Sequence, residues 1–442
     1  MKNKGEVNNI FKILKSLYPY DYSIVSPGSV LAKNAYLEHL DFTVHEYPSG
    51  SDVGGWVIPD SWYVKKAQII KDGKLVYDAA LSPLGVGALS PSFSGSMDLS
   101  TLEKHLFFSE ESEDAIPYHW TNLYRPNDID WAICMPKKEY KKLRDGNYEI
   151  ELITSSEPGN MLVYEFFIQG ESDECFLING HNCHPWQAND DISGCAVGVA
   201  FFQHLLKQKN KYSYKLIIAP ELHGTAHWIA ANPSHSSNVI GAVMLKSVGN
   251  DRSLSLQHSF DGVSKLDIAA KAVCSEVLPN FTSGAFRTIY GNDETVFDSP
   301  GYEIPTISLT RYPFNEYHSD EDTPERINLK ALDESLEILK LIFNTIERDK
   351  NGVFSETGLI CLSQKKYDLY RAAPAPGIDK VAYEKSNKFW NLLMNCLPRE
   401  LNGKISYIEL ALKYDLPVTS VIAYLEKWEE KGLLTDVTKI GS

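Results

Sequence analysis

Between residues 146 and 348, short apolar runs alternate with stretches of helical periodicity. That alternation limits the fold more than any other feature of the chain. Tyr148–Ile153 and Met161–Ile168 read as strands, and Glu174–Asn179 reads as a strand buried on both faces, with a helix over 193–207 after it. Lys215–Ala219 precedes a helix near 225–231, Val239–Leu245 precedes one over 263–277, and Ile304–Leu309 precedes one over 329–348. Strands alternating with helices predict an α/β fold with a mostly parallel sheet and helices on both faces. In such sheets ligands gather beyond the carboxyl ends of the strands.

The flanking segments have a different texture. Apolar positions at three- and four-residue spacing, such as Ile10, Leu14 and Leu17, predict helices over the first 40 residues. From Phe42 the chain turns to short β-like runs, and Asp72-Gly73 is a strong hairpin signal. These patterns predict a core domain from 1–44 and 136–358, an inserted β-rich domain over 45–135, and a C-terminal domain over 359–442. Helix, short turn, helix, Gly432 and an apolar strand give the last segment a winged-helix grammar.

A chain of 442 residues exceeds one core, which agrees with two or three domains. The formal net charge of -15 makes nucleic acid a poor partner. Residues 384–442 carry eight Lys/Arg and eight Asp/Glu, whereas a DNA-reading winged helix should be basic. Glu426, Glu429 and Glu430 fall on the helix that would face phosphates. The expected role of this module is therefore packing against the rest of the chain or a second subunit, and a homo-oligomer stays open. No apolar run is long enough to span a membrane, the first residues lack a secretory apolar stretch, and seven scattered cysteines form no CxxC pair. Together these predict a protein of the reducing cytoplasm without membrane partners.

The densest polar cluster, residues 180–194, follows the buried strand 174–179 and opens a helix. It contains His181, His184, Asp190 and Asp191. Imidazole and carboxylate are the ligands zinc favours. Two His with an x2 gap at a strand end, and an Asp six residues later, can reach one ion; the alternative is a set of loop-capping groups. Glu221 ends the next strand, where a carboxylate serves as general base in metal-assisted hydrolysis or caps the following helix. His223 is open between ligand and helix-start residue. His318, between Tyr317 and Asp322, reads as a further ligand, with Asp322 as acceptor for its other ring nitrogen. Asp293 and Glu294, with Arg311 downstream, suit recognition of an amine and a carboxylate, or tie two loops together.

These stretches resemble a bacterial aminopeptidase-like family within the zinc exopeptidase fold, related to zinc aminopeptidases and glutaminyl cyclases. The resemblance runs through residues 56–62, His181-x-x-His-Pro-x-x-Ala-Asn-Asp190-x-x-Ser-Gly, Gly291-Asn-Asp293-Glu294 and Glu316-Tyr317-His318. It implies zinc, with His181 and His318 as ligands, Asp190 as the metal-bridging carboxylate and Glu221 as general base. Three positions depart from the di-zinc pattern: Cys183 stands in place of an Asp, and Leu222 and Lys246 in place of two ligands. One zinc rather than two is therefore expected, held from among His181, His184, Asp190 and His318. Lys246, at a strand's carboxyl end, is expected either to fill part of the missing ion's volume and neutralise Asp190 or a substrate carboxylate, or to reach solvent. The implied activity is hydrolysis of an amide or peptide bond in a small-molecule or peptide substrate. Acyl transfer of the cyclase kind, or ligand binding without hydrolysis, are the alternatives.

Overall fold

A computed structural model describes residues 4–125, 128–371 and 380–436. The chain divides into two compact units, one of Met1–Phe260 with Gly284–Leu336, the other of Asp261–Ser283 with Glu337–Ser442.

The first unit is built on an eight-stranded sheet. Its strands are β1 (Thr43–Pro48), β2 (Asn160–Ile168), β3 (Cys175–His181), β4 (Ser213–Ala219), β5 (Val239–Lys246), β6 (Ser255–Gln257), β7 (Thr282–Gly284) and β8 (Thr306–Thr310). Their order across the sheet is β1-β2-β4-β3-β5-β8-β6-β7. The four central strands, β4, β3, β5 and β8, are mutually parallel. β1 and β2 add to one side antiparallel, and β6 pairs antiparallel on the other. The sheet is thus mixed, where a mostly parallel one was expected. β2 and β6 run against their inner neighbours, and that direction makes the sheet mixed.

Every residue of β3 and β4 is buried, because both faces are covered. Gly198 of the helix Ser193–Leu205 lies against Leu216, Ile178 and Leu245. The alternate positions Leu177, Ile217 and Ala242 pack with Trp228 and Ile229 of the helix His223–Ala231. Neighbouring strand residues point to opposite faces, so the two helices cover opposite sides of the sheet. A Cβ on Gly194 would stand 2.4 Å from an Asp191 carboxylate oxygen and 2.6 Å from the Leu245 carbonyl. Only glycine permits that approach, and it seats the helix start beside the ends of β3 and β5.

Between β1 and β2 the chain forms a second, four-stranded antiparallel sheet from Lys74–Asp78, Ser61–Lys71, Asn147–Glu157 and Phe93–Asp98, in that order. Its core holds Ala67, Ile69, Leu102, Trp131, Ile133, Tyr148, Ile150 and Leu152. Tyr148–Ile153, expected in the central sheet, pairs here with Ser61–Lys71 instead. Its alternation of buried Tyr148, Ile150 and Leu152 with exposed neighbours is that of a half-buried strand. The chain leaves the central sheet at Pro48 and rejoins it at Asn160, a wider excursion than 45–135.

The second unit holds the helices Lys265–Val277, Lys380–Glu400, Tyr407–Lys413 and Val418–Glu430. Ser406 and Glu409 form a capping box at the start of the third. Strand Leu434–Asp436 pairs antiparallel with Gly352–Phe354. Leu425 and Trp428 are fully buried. Glu426 takes both Nε (2.7 Å) and Nη2 (2.5 Å) of Arg348, and Glu429 takes Lys350 at 2.8 Å and the Tyr407 hydroxyl at 2.6 Å. The helix 265–277, which alternation assigned to the α/β region, belongs to this unit.

No helix among the described residues is long and apolar enough to cross a membrane.

Candidate metal centre

The site gathers at the carboxyl ends of the parallel strands. His181 closes β3, Glu221 lies just past β4, and Lys246 closes β5. The loop after β3 supplies His184 and Asp190, and the loop after β8 supplies Tyr317 and His318. Asp190 is the hub, and its side chain is fully buried. Its Oδ2 lies 3.6 Å from His184 Nε2 and 3.3 Å from His318 Nε2. Its Oδ1 lies 3.3 Å from His181 Nε2 and receives the Lys246 ammonium. Burial opposes the Asp190 charge, but Lys246 and the three imidazoles hold its carboxyl well below the usual range.

The loop that presents Asp190 is itself fixed by carboxylates. Asp322 accepts the backbone N–H groups of Asn189 (2.8 Å) and Asp190 (2.9 Å). It therefore orients Asp190 and is not the partner of the His318 ring. Asp191 accepts the N–H groups of Ser247 (2.8 Å) and Gly194 (3.2 Å), which joins the β5 end to the helix start.

Lys246 divides the site in two. It is fully buried, and its ammonium also lies 2.7 Å from His181 Nε2. The rings of Tyr290 and Tyr317 stand 4.5 and 5.7 Å from its nitrogen. Burial disfavours its charge, but Asp190, Tyr317, Glu221 and Asp191 together outweigh it and the ammonium is held more firmly than usual. Lys246 thus neither reaches solvent nor offers a donor to substrate. The lone pair of His181 Nε2 accepts from Lys246, so His181 does not converge with the other two imidazoles. Burial and then the Lys246 charge push its imidazole down to about 3.

On the other side of Asp190 the geometry suits a metal ion. One ligand atom each from His184, Asp190 and His318 lie within 4.8 Å of one another. His184 Nε2 and Asp190 Oδ2 are buried without a hydrogen-bond partner, a costly state for polar atoms unless a cation meets them. His184 Nδ1 lies 2.8 Å from the Pro185 carbonyl. Donation there leaves the Nε2 lone pair free, the usual arrangement of a metal-binding histidine. Two imidazoles and a carboxylate make a donor set zinc accepts, with one position open. His318 Nε2 joins from a ring stacked 3.9 Å from Tyr317, and burial pushes its imidazole down to about 4.

These groups open onto a cavity of about 310 Å³. Its wall includes His184, Glu221, Tyr317, His318, Cys183 and Arg287, with the rings of Tyr118, Trp120, Tyr124 and Tyr290. Tyr118 stacks 4.5 Å from His184, and its N–H donates to the His318 carbonyl at 2.7 Å. Burial pushes the Glu221 carboxyl up to about 8, with the Lys246 charge opposing. Leu222 beside it holds a left-handed φ of 59°, strained for a residue with a Cβ. Asp293 secures that turn by accepting the Leu222 N–H at 2.6 Å and the Thr225 hydroxyl at 3.0 Å.

Three of the expected substrate contacts lie elsewhere. Asp293 is sealed behind the Leu222 turn, and Glu294 accepts the Asn292 N–H at 2.8 and 2.9 Å; neither lines the cavity. Arg311 is buried, donates to the Val248 carbonyl at 3.2 Å, and pairs with Glu334 at 2.5 Å. It is the loop tie, and Arg287 is the cation of the cavity wall. His223 is buried against Trp56 and does not join the Asp190 group. Tyr118, Trp120, Tyr124 and Arg287 were missed by sequence reasoning. The first three belong to the chain between β1 and β2, and no local spacing ties them to residues 181–190.

His181, Cys183 and Glu221 form a second three-residue group, with Cys183 and Glu221 on the same cavity wall, and His45, Glu165 and His235 form a third, away from it. Burial opposes ionisation of Glu165, but hydrogen bonds from His45 (2.8 Å) and Trp228 (2.9 Å), with Lys215 at 3.3 Å, pull its carboxyl down to about 2. Lys215 already supplies the neutralising cation there.

Fold and strand-end site together define an aminopeptidase-like α/β protein. The zinc aminopeptidase BSAP of Bacillus subtilis shares the fold, with a TM-score of 0.57 at 11% identity over 76% of this chain and 94% of that one. Residues 11–349 match the family described as Domain of unknown function (DUF4910), and the chain belongs to it. A Clostridium acetobutylicum protein named a polysaccharide biosynthesis protein with aminopeptidase-like domain is 28% identical over 418 residues, 93% of each chain. A crystal structure named for a peptidase of that organism superposes with a TM-score of 0.80 at 24% identity, covering 98% of this chain and 96% of that one.

Proposed function

We propose that the chain is a mononuclear zinc amidohydrolase in which His184, Asp190 and His318 hold the ion and Lys246 stands where a di-zinc enzyme has its second. The observation that carries this reading is the division of Asp190: Oδ1 is taken by the Lys246 ammonium, while Oδ2 meets the Nε2 atoms of His184 and His318 and has no hydrogen-bond donor. Bound zinc supplies Lewis acidity toward a carbonyl oxygen. Glu221 moves the proton. It lines the same cavity, and a carboxyl raised toward working pH can take a proton from water and return it to a leaving nitrogen. Tyr118 and Tyr317 hold the two imidazole rings in place by stacking. Asp322 and Asp191 hold the backbone that aims Asp190. We further propose a cytoplasmic enzyme of small amides, with the winged-helix segment a protein-packing module rather than a nucleic-acid reader; the Glu426 and Glu429 ion pairs support this by occupying that helix's carboxylates.

The test is elemental analysis of protein purified without added metal. About one zinc per chain is expected. His184→Ala and His318→Ala should each release it, and His181→Ala should lower occupancy less. Two tightly held ions in the wild type, or equal losses from all three variants, would overturn the assignment.

A further inference from the structure

The charges on the cavity wall restrict what can enter. An enzyme that reads a free amino terminus offers a carboxylate to the ammonium. Here Glu221 is the one carboxylate among the described residues lining the cavity, and the proposed chemistry already uses it. Asp293 Oδ1 and the Glu294 oxygens accept backbone N–H groups, Asp293 Oδ2 is buried without a partner, and neither residue lines the cavity. The aromatic rings could in principle hold an ammonium through their faces. Lys246 already occupies that role at Tyr290 and Tyr317, behind the wall and paired with Asp190. Arg287 is the cation on the wall itself, and Glu221 is the carboxylate left to meet an ammonium there.

Arg287 is exposed, with its guanidinium set over the Gly291 backbone. A Cβ on Gly291 would stand 2.2 Å from the Arg287 Nη2. Its Nη1 donates to the Thr295 hydroxyl. No ion pair to Arg287 is found among the described residues; Glu294, whose oxygens accept the Asn292 N–H, feels its charge without forming one. A guanidinium so placed offers its remaining donors to an anion as a planar fork. Trp120, 42% exposed at the cavity wall, meets Tyr124 edge to face with centroids 5.5 Å apart, and the two form an apolar corner that a ring can pack into.

We infer that the substrate is an N-acylated compound bearing an anionic group, carboxylate or phosphate, which Arg287 holds, and that free amino termini are excluded. This rests on the amidohydrolase reading of the same cavity. It is tested first by binding, which needs no turnover. Titration calorimetry of the zinc-loaded protein would compare N-benzoylglycine, its neutral amide, glycine naphthylamide with its free ammonium, and N-acetylglucosamine 1-phosphate. Either anionic ligand should bind about tenfold or more tightly than the neutral and cationic ones, and the preferred anion separates carboxylate from phosphate recognition. Arg287→Ala should erase that preference, Gly291→Ala should weaken it by displacing the guanidinium, and Arg287→Lys should keep part of it. Equal or tighter binding of the free-amine ligand, or a preference unchanged in Arg287→Ala with zinc content intact, would overturn the inference. Anion preference without hydrolysis of any panel member would support the recognition and reject the hydrolase. Hydrolysis of the free-amine compound would do the reverse.

Discussion

Replacing Lys246 by Met keeps most of the stem's volume and removes the charge. The ammonium is fully buried and touches Asp190 Oδ1 and His181 Nε2. Removing one partner of a buried pair strands the other, at a typical cost of about 3–5 kcal/mol. Burial holds the His181 and His318 imidazoles down to about 3 and 4, so they offset little of this near neutral pH. A loss of about 3–5 kcal/mol is therefore expected. Added zinc should narrow the loss, since Asp190 would no longer share its charge with the ammonium and the ion would bind more tightly. Lys246→Asp goes further and places a carboxylate in the di-zinc ligand position; it should bind a second equivalent of zinc and be destabilised without it. The assay is urea unfolding of the full chain, read at the transition that melts the central sheet, in chelator and in excess zinc, with metal content measured in parallel. A Lys246→Met loss within about 0.5 kcal/mol, the scale of ordinary surface changes, would refute the reasoning. So would a Lys246→Asp protein that folds normally and binds no more zinc than the wild type.

Glu221→Gln should keep zinc and fold but lower turnover of a verified amide substrate by roughly 100-fold or more, the usual scale for a positioned proton carrier; retained activity would remove Glu221 from that role. Glu165 supplies a stability test apart from the metal. Its folded carboxyl lies near 2 against an ordinary 4.5, so its contribution is full above the unfolded value and is lost as pH falls through the folded one. The shift corresponds to on the order of 2–3 kcal/mol. Glu165→Gln should cost about 1–3 kcal/mol at neutral pH and flatten the stability profile between roughly pH 5 and 2. A variant whose acid limb matches the wild type would exclude the pair as its source.

The parts of this molecule legible in the sequence are those that local periodicity encodes. The buried runs at β3, β4 and β5 have all-apolar cores because helices cover both faces, and the polar residues just past them had to emerge at one end of the sheet. That logic placed His181, Glu221 and Lys246 together before any coordinates. It could not place Tyr118. That residue reaches His184 through an isolated bridge between Pro117 and Ser319 and a backbone bond to His318, a long-range pairing without a repeating pattern. Nor could it choose between Arg311 and Arg287. Arg287 precedes the acidic run Asp293-Glu294 and Arg311 follows it further along the chain, and no local pattern says which one faces the cavity; the fold turns Arg311 inward toward Glu334. The antiparallel outer strands escaped for a related reason: β2 and the strand Asn147–Glu157 are similar apolar runs, and partner choice decides which sheet each joins.

One exchange of charge accounts for several of these features together. A bridging carboxylate between two ions can give an oxygen to each, and either ion can also take a substrate atom. An ammonium in one position can satisfy its oxygen but has no coordination site to offer a substrate. Lys246 is closed further by Tyr290 and Tyr317, whose hydroxyls lie 3.0 Å apart. Any chemistry must then proceed on the face that His184 and His318 share, and that face opens to Glu221 and the aromatic cavity. The same fixed cation changes what the cavity tolerates. It replaces exchangeable divalent charge with a permanent single charge behind the Tyr290 wall, while Asp293 and Glu294 turn their carboxylates away to brace the Leu222 turn and the Asn292 loop. On the one-zinc reading proposed above, a site with an ammonium in place of a second ion and acidic residues bound to backbone N–H groups keeps neither means of holding a free amino terminus, and Arg287 is the wall group left to recognise a substrate.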